Sequence, residues 1–234
     1  MSTTLSRATA DYWADHQVSD FAPGITAKES LDALEHRNGL YPGVLDLLPC
    51  TQPGRAVLDF GCGPGHDTLM FLLNGASHVY AADVSWYGLS MLRVRLLAHD
   101  LLDRCTLMLV PENGDWRPPP VDHVLAAGVL HHCSDPVATL RRLALGLRDH
   151  HSDRIEIMVY SAESWFYKVK AEGDPEVFRS LADGGAPIAH AWTKLEVRAL
   201  AAAAGLRTEY LGSYRSSVEP EGPGLSACYA LRLR

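Results

Sequence analysis

Little in this chain answers to a covalent or metallic scaffold. Its five cysteines (Cys50, Cys62, Cys105, Cys133 and Cys228) are odd in number, far apart and include no C-x-x-C. That usage argues against a disulfide framework and a zinc knuckle alike, and it suggests a reducing cytoplasm with no resident metal. No stretch approaches about 18 uninterrupted apolar residues, so a membrane span is not expected. The N-terminal segment MSTTLSRATADYWADH lacks a long apolar core, so neither is a secretory leader. Positive charge is scarce too. Lys and Arg number 21 against 28 Asp and Glu, for a net charge of −7, and such a field repels phosphate backbones unless a basic patch overrides it.

What is present has the balance of a globular protein, with 47% apolar and 21% charged residues over 234 positions. That length suits one α/β domain with elaborations. Thr26 stands three residues before Glu29, a capping box that predicts a helix over 27–38, and LYPGVLDLLP predicts a short second one. Strands are then expected at 56–60, 78–84, 105–110, 122–129 and 154–160. Helices alternate with them at 67–74, 87–101 and 136–148, the last opened by Asp135 and Pro136. This alternation predicts a parallel sheet covered on both faces. Residues 162–192 lose any clean period, as a lid or insertion would. A second capping box, Thr193 with Glu196, then opens a helix that ends at Gly205, and closing strands are expected at 206–212 and 228–233.

Directly behind the first strand comes VLDFGCGPGHD. A glycine-rich turn between a strand and a helix lets a ligand lie against bare backbone at a helix N-terminus. A dinucleotide fold would space its glycines G-x-G-x-x-G, but here they are Gly61, Gly63 and Gly65, with His66 where the third dinucleotide glycine belongs. Preceded by VLD, the G-x-G-x-G spacing resembles the first motif of the class I S-adenosylmethionine-dependent methyltransferases, over roughly residues 55–160. The resemblance implies that the turn, with Phe60 and Cys62, wraps the methionine part of the cofactor and that Asp59 organises it. Asp83 ends the second strand in VYAADVS, and beside Val84 it could accept hydrogen bonds from both ribose hydroxyls, though the same carboxylate would serve NAD. In PENGDWRPP the resemblance assigns Asp115 to the adenine amino group, with Trp116 as a flat neighbour. In DHVLAAGVLHHCSDP it assigns backbone contacts to Gly128 and Val129. Arg37 and Tyr41 stand where they could reach the cofactor carboxylate.

The implied fold is a Rossmann-like seven-stranded mixed sheet in the order 3-2-1-4-5-7-6, with an antiparallel last strand and helices on both faces. The chain would then divide into an N-terminal helical cap (1–50), a cofactor core (51–161), a lid or insertion (162–192), and a final helix with closing strands (193–234). The cofactor would be S-adenosylmethionine and the reaction methyl transfer to an oxygen, nitrogen or carbon. For an acceptor that must lose a proton, His132 and His131 are the candidate bases, because imidazole titrates near neutrality. Tyr12 and Trp13 before the core, and Tyr160 and Trp165 after strand five, are candidate substrate walls. Residues 1–40 carry three basic and six acidic side chains, and residues 162–192 three and five. Both segments therefore disfavour nucleic acid and favour a small molecule. A methyltransferase acting on RNA or protein, and a noncatalytic nucleotide-binding or dehydrogenase-like module, remain as alternatives.

Overall fold

The computed structural model describes residues 3–15, 25–111, 116–149, 152–182, 185–216 and 224–233. Three helices precede the sheet: α1 (Thr3–Asp15), α2 (Ala27–Leu40) and α3 (Val44–Leu47). Thr26 and Glu29 close the capping box of α2 in both directions. The expected alternation follows: β1 (Ala56–Phe60), α4 (His66–Leu73), β2 (His78–Asp83), α5 (Trp86–Ala98), β3 (Cys105–Leu109), β4 (His123–Ala127), α6 (Pro136–Ala144) and β5 (Arg154–Ser161). The chain ends with α7 (Pro175–Leu181), β6 (Ala191–Trp192), α8 (Lys194–Ala203), β7 (Leu206–Tyr214) and β8 (Ser226–Leu233).

The main path of the sheet runs β3-β2-β1-β4-β5-β8-β7. Pairing is parallel from β3 to β5, and β8 lies antiparallel to both β5 and β7. This is the order expected from the sequence, with one correction. An eighth, two-residue strand, β6, pairs with Tyr160 and Ser161 of β5. Tyr160 also pairs with Ser226 of β8. β6 therefore occupies the other edge of β5, the one β4 vacates when it stops at Ala127. Period-based reading missed it because two residues carry no alternation.

Along β1 the faces alternate as a doubly covered strand requires. Val57 packs with Phe71 and Leu72 of α4 and with Leu89, Leu92 and Leu96 of α5. Leu58 packs on the opposite side with Leu140 and Leu143 of α6 and Val197 and Ala201 of α8. α6 ends at Ala144, four residues short of the expected Arg148. There the chain turns so that Val121 N–H donates to Gly146 O (2.8 Å) and Arg148 N–H to Val121 O (3.0 Å). β4 stops at Ala127 where Val129 had been expected, because Gly128 takes a φ of +77° and Leu130–His132 winds into a 3-10 turn. No helix among the described residues is long and apolar enough to cross a membrane.

Candidate active site

The strand order reverses between β1 and β4, and the crevice at the carboxyl ends of strands at such a point is where open α/β sheets take ligands. A cavity of about 1020 Å³ opens there, walled by the ends of β1, β2, β4 and β5, the helices α1 and α2, and residues 165–182. Phe60, Gly61, Cys62, Gly63, Asp83, Val84, Gly128 and Val129 all line it. Gly65 lies behind the turn. A Cβ there would stand 2.2 Å from Leu92 Cδ1, so its glycine lets α5 close against the loop. Gly61 is equally constrained, since at φ +75° a Cβ would stand 2.2 Å from Val129 Cγ2.

Asp83 holds this turn in shape. Its Oδ2 accepts from Gly63 N–H at 2.7 Å and its Oδ1 from Ser85 N–H at 2.8 Å. Burial raises its pKa against the pull of these backbone donors. Arg95, fully buried on α5, braces the loop from below. Its guanidinium donates to Pro64 O (3.0 Å), Ser30 Oγ (3.0 Å) and Ser30 O (3.3 Å), which ties α2 to the glycine turn. Sequence reading passed over Arg95. Its signal was a charge set in the buried stripe Leu89, Leu92 and Leu96.

Asp59 does not line the cavity. It faces α4, where Thr68 Oγ1 donates to its Oδ2 at 2.5 Å. Burial, followed by the charge of Asp67, pushes its pKa up to about 7. Asp67 itself lines the cavity and is gripped by Arg37 through contacts of 2.7 and 3.0 Å. Burial opposes the Arg37 charge, yet Asp67 raises its pKa on balance. Tyr41 lines the cavity as well. Asp115 lies outside the described residues. Trp116 is set back from the cavity, stacked on Phe60 with centroids 5.7 Å apart.

The two histidines diverge. His132 lines the cavity, is only 6% exposed, and places Nδ1 2.6 Å from Ile188 O. Trp13 of α1 meets its ring edge-on at 4.7 Å. His131 is buried away from the cavity, stacked on Tyr160 at 3.8 Å, with its Nδ1 accepting from Tyr160 N–H at 3.3 Å. Burial, helped by His132 and His190, lowers the His131 pKa well below the usual imidazole value. Trp13, Tyr160 and Trp165 line the cavity, as does Phe166, while Tyr12 sits behind Trp13 at 5.1 Å. No group of three or more His, Cys, Asp or Glu placed to hold a metal occurs among the described residues.

The sequence matches the methyltransferase domain family over residues 58–150. No curated protein matches it. Among solved structures it is similar to an O-methyltransferase family 2 protein from Planctomyces limnophilus in complex with apigenin, at 22% identity and a TM-score of 0.62, covering 89% of this chain and 62% of that one. It is also similar to NcsB1, an O-methyltransferase from neocarzinostatin biosynthesis in complex with S-adenosylmethionine and 2-hydroxy-5-methyl naphthoic acid, at 17% identity and a TM-score of 0.59, covering 89% of this chain and 58% of NcsB1. A possible histamine N-methyltransferase from Thermotoga maritima is similar over 98% of this chain and 100% of its own, at 13% identity and a TM-score of 0.61. The chain thus spans about three fifths of the length of the first two. Residues 58–150 thus match the methyltransferase domain family, and the fold around them is that of solved S-adenosylmethionine-dependent methyltransferases.

Proposed function

We propose that this chain is an S-adenosylmethionine-dependent methyltransferase that methylates a hydroxyl oxygen on an aromatic small molecule, with His132 taking the proton. One observation carries the reading. In the cavity that the glycine turn opens into, His132 Nδ1 lies 2.6 Å from the carbonyl oxygen of Ile188. A carbonyl can only accept, so Nδ1 carries a proton, and in the neutral form of the ring the lone pair is then on Nε2. That is the tautomer a general base needs. His131 has the opposite one, because its Nδ1 accepts from Tyr160 N–H. Set back from the cavity, it positions Tyr160 and backs His132 rather than taking a proton.

The residues present fit the cofactor. Gly63 lines the cavity with open space where a side chain would stand, and the Asp83 carboxylate faces the same space for the ribose hydroxyls. Phe60, Gly61, Cys62, Val84, Gly128 and Val129 complete that half, with Arg37 near the amino-acid end. When bound, the cofactor supplies an activated methyl group on its sulfonium. The chain's share is then to align the acceptor oxygen, hold its proton and exclude water, and such positioning is worth up to ~7–11 kcal/mol.

A small acceptor is favoured over RNA or protein by the burial of His132 and by the acidic segments around the cavity. The cavity exceeds the volume of an ordinary single-ligand site, which leaves room for both reactants. Aromaticity is favoured by the walls Trp13, Tyr160, Trp165 and Phe166, and by the hydroxylated aromatic ligands of two similar structures. In this reading residues 162–192 form the lid and the chain works in the cytoplasm.

The test is transfer of an isotopically labelled methyl group to a panel of phenols, naphthols and flavonoids, read by mass spectrometry. His132→Ala should lower kcat by roughly 10²- to 10⁴-fold while S-adenosylhomocysteine still binds. Full turnover in that variant would remove the base.

A further inference from the structure

Four Asp, Glu, Lys or Arg side chains line the cavity, and three are already engaged. Arg37 and Asp67 neutralise one another, and Asp83 accepts two backbone N–H groups. Lys170 is the fourth. It stands at the exposed rim, and among the described residues its ammonium has no ion-pair partner. Its contact is the Trp165 ring, with the centroid 5.7 Å away.

The backbone explains how it comes to be there. Phe166–Lys170 is a π-helical turn, closed by Ala171 N–H donating to Phe166 O at 3.0 Å, five residues back. In an α-helix, residues five apart sit well round from one another, whereas the wider π turn brings Lys170 over Trp165. Such turns recur at functional sites. Here the result is a cation held against an aromatic wall of the cavity in a segment that is otherwise acidic.

We infer that the acceptor carries a carboxylate that pairs with Lys170 while its hydroxyl reaches His132. The substrate class is then a hydroxylated aromatic acid, an assignment that rests on the aromatic-hydroxyl reading of the same cavity. The burial gradient fits this placement. A carboxylate taken fully out of water is expensive, but at the rim it keeps part of its hydration and gains a counter-charge. The hydroxyl is neutral before transfer and can enter the buried end where His132 lies. In a protein of net charge −7, a local cation is also what an anionic acceptor would need to overcome the general repulsion.

The experiment is calorimetric titration of the S-adenosylhomocysteine-saturated protein with a hydroxynaphthoic acid, its methyl ester and the matching naphthol. The wild type should bind the acid more tightly than the ester. Lys170→Met keeps an apolar stem on Trp165, and it should weaken the acid by roughly two- to fivefold while leaving the ester and naphthol unchanged. Lys170→Arg should restore the acid, and Lys170→Glu should weaken it further. An acid affinity that Lys170→Met leaves untouched, a loss shared equally by acid and ester, or failure of all three probes to bind would overturn the inference. Labelled methyl transfer is scored separately. If neither acid nor naphthol is methylated, the hydroxyl reading fails, while the ratio of acid to ester affinity still decides the role of Lys170.

Discussion

Asp83→Asn separates the bracing of the glycine turn from the ribose contact proposed for the same carboxylate. Its two oxygens accept from Gly63 N–H at 2.7 Å and Ser85 N–H at 2.8 Å, in a site where the side chain is largely buried. Asparagine offers one acceptor oxygen and one NH₂ group. Whichever way the amide is turned, one of the two backbone donors faces another donor. An unsatisfied buried donor costs about 1–3 kcal/mol, so urea unfolding of the ligand-free protein should report a loss of that size. Binding adds a second loss. Hydrogen bonds from ribose hydroxyls to a carboxylate are worth about 1.5–3 kcal/mol each, and to a neutral amide about 0.5–1.5. Roughly 1–3 kcal/mol should therefore vanish from S-adenosylhomocysteine affinity, some 5- to 150-fold by calorimetry. Titrating adenosine alongside it isolates the ribose contribution. If adenosine affinity is unchanged, the carboxylate serves only the turn. If both ligands bind Asp83→Asn as tightly as wild type, the assignment is wrong.

Two further perturbations probe the scaffold. Asp59 has a folded pKa of about 7, above its unfolded value, so its contribution to stability is full below about pH 4 and is lost as pH rises through 7. Asp59→Asn escapes that loss, and its unfolding free energy relative to wild type should improve by about 2–3 kcal/mol between pH 5 and pH 8; a gap that stays constant with pH would refute the burial argument. Gly61→Ala combines a positive φ with a Cβ 2.2 Å from Val129 Cγ2. It should cost about 2–4 kcal/mol in urea unfolding, and Val129→Ala in the same chain should recover the overpacking part but not the φ part.

The sheet was legible where its parallel strands are buried on both faces and read as apolar runs. Ala56–Phe60 is such a run, bounded by the chemistry of its turn. Caps were legible for the same local reason, as Thr26 with Glu29 and Thr193 with Glu196 show. α7 carried an equally local signal in Asp174 followed by Pro175, hidden in a stretch without periodicity. What stayed out of reach depends on partners distant in sequence. Ile188 sits 56 positions from the histidine whose tautomer it sets, and Ser30 lies 65 from Arg95. Both His131 and His132 looked alike in the sequence. Only the placement of Tyr160 and Ile188 gives them opposite protonation patterns.

The pairing of Ser161 with Trp192 and the bond from Ala162 N–H to Trp192 O at 3.0 Å fasten together the two ends of everything between them. A detour that departs and returns at one spot behaves as a cassette, because its length and contents can vary at small entropic cost to the sheet. With residues 162–192 as the proposed lid, exchange of this cassette is expected to change which molecules are accepted while the glycine turn stays intact. The incoming loop must still supply a carbonyl where Ile188 now stands, since that oxygen holds the Nδ1 proton of a histidine the loop does not contain.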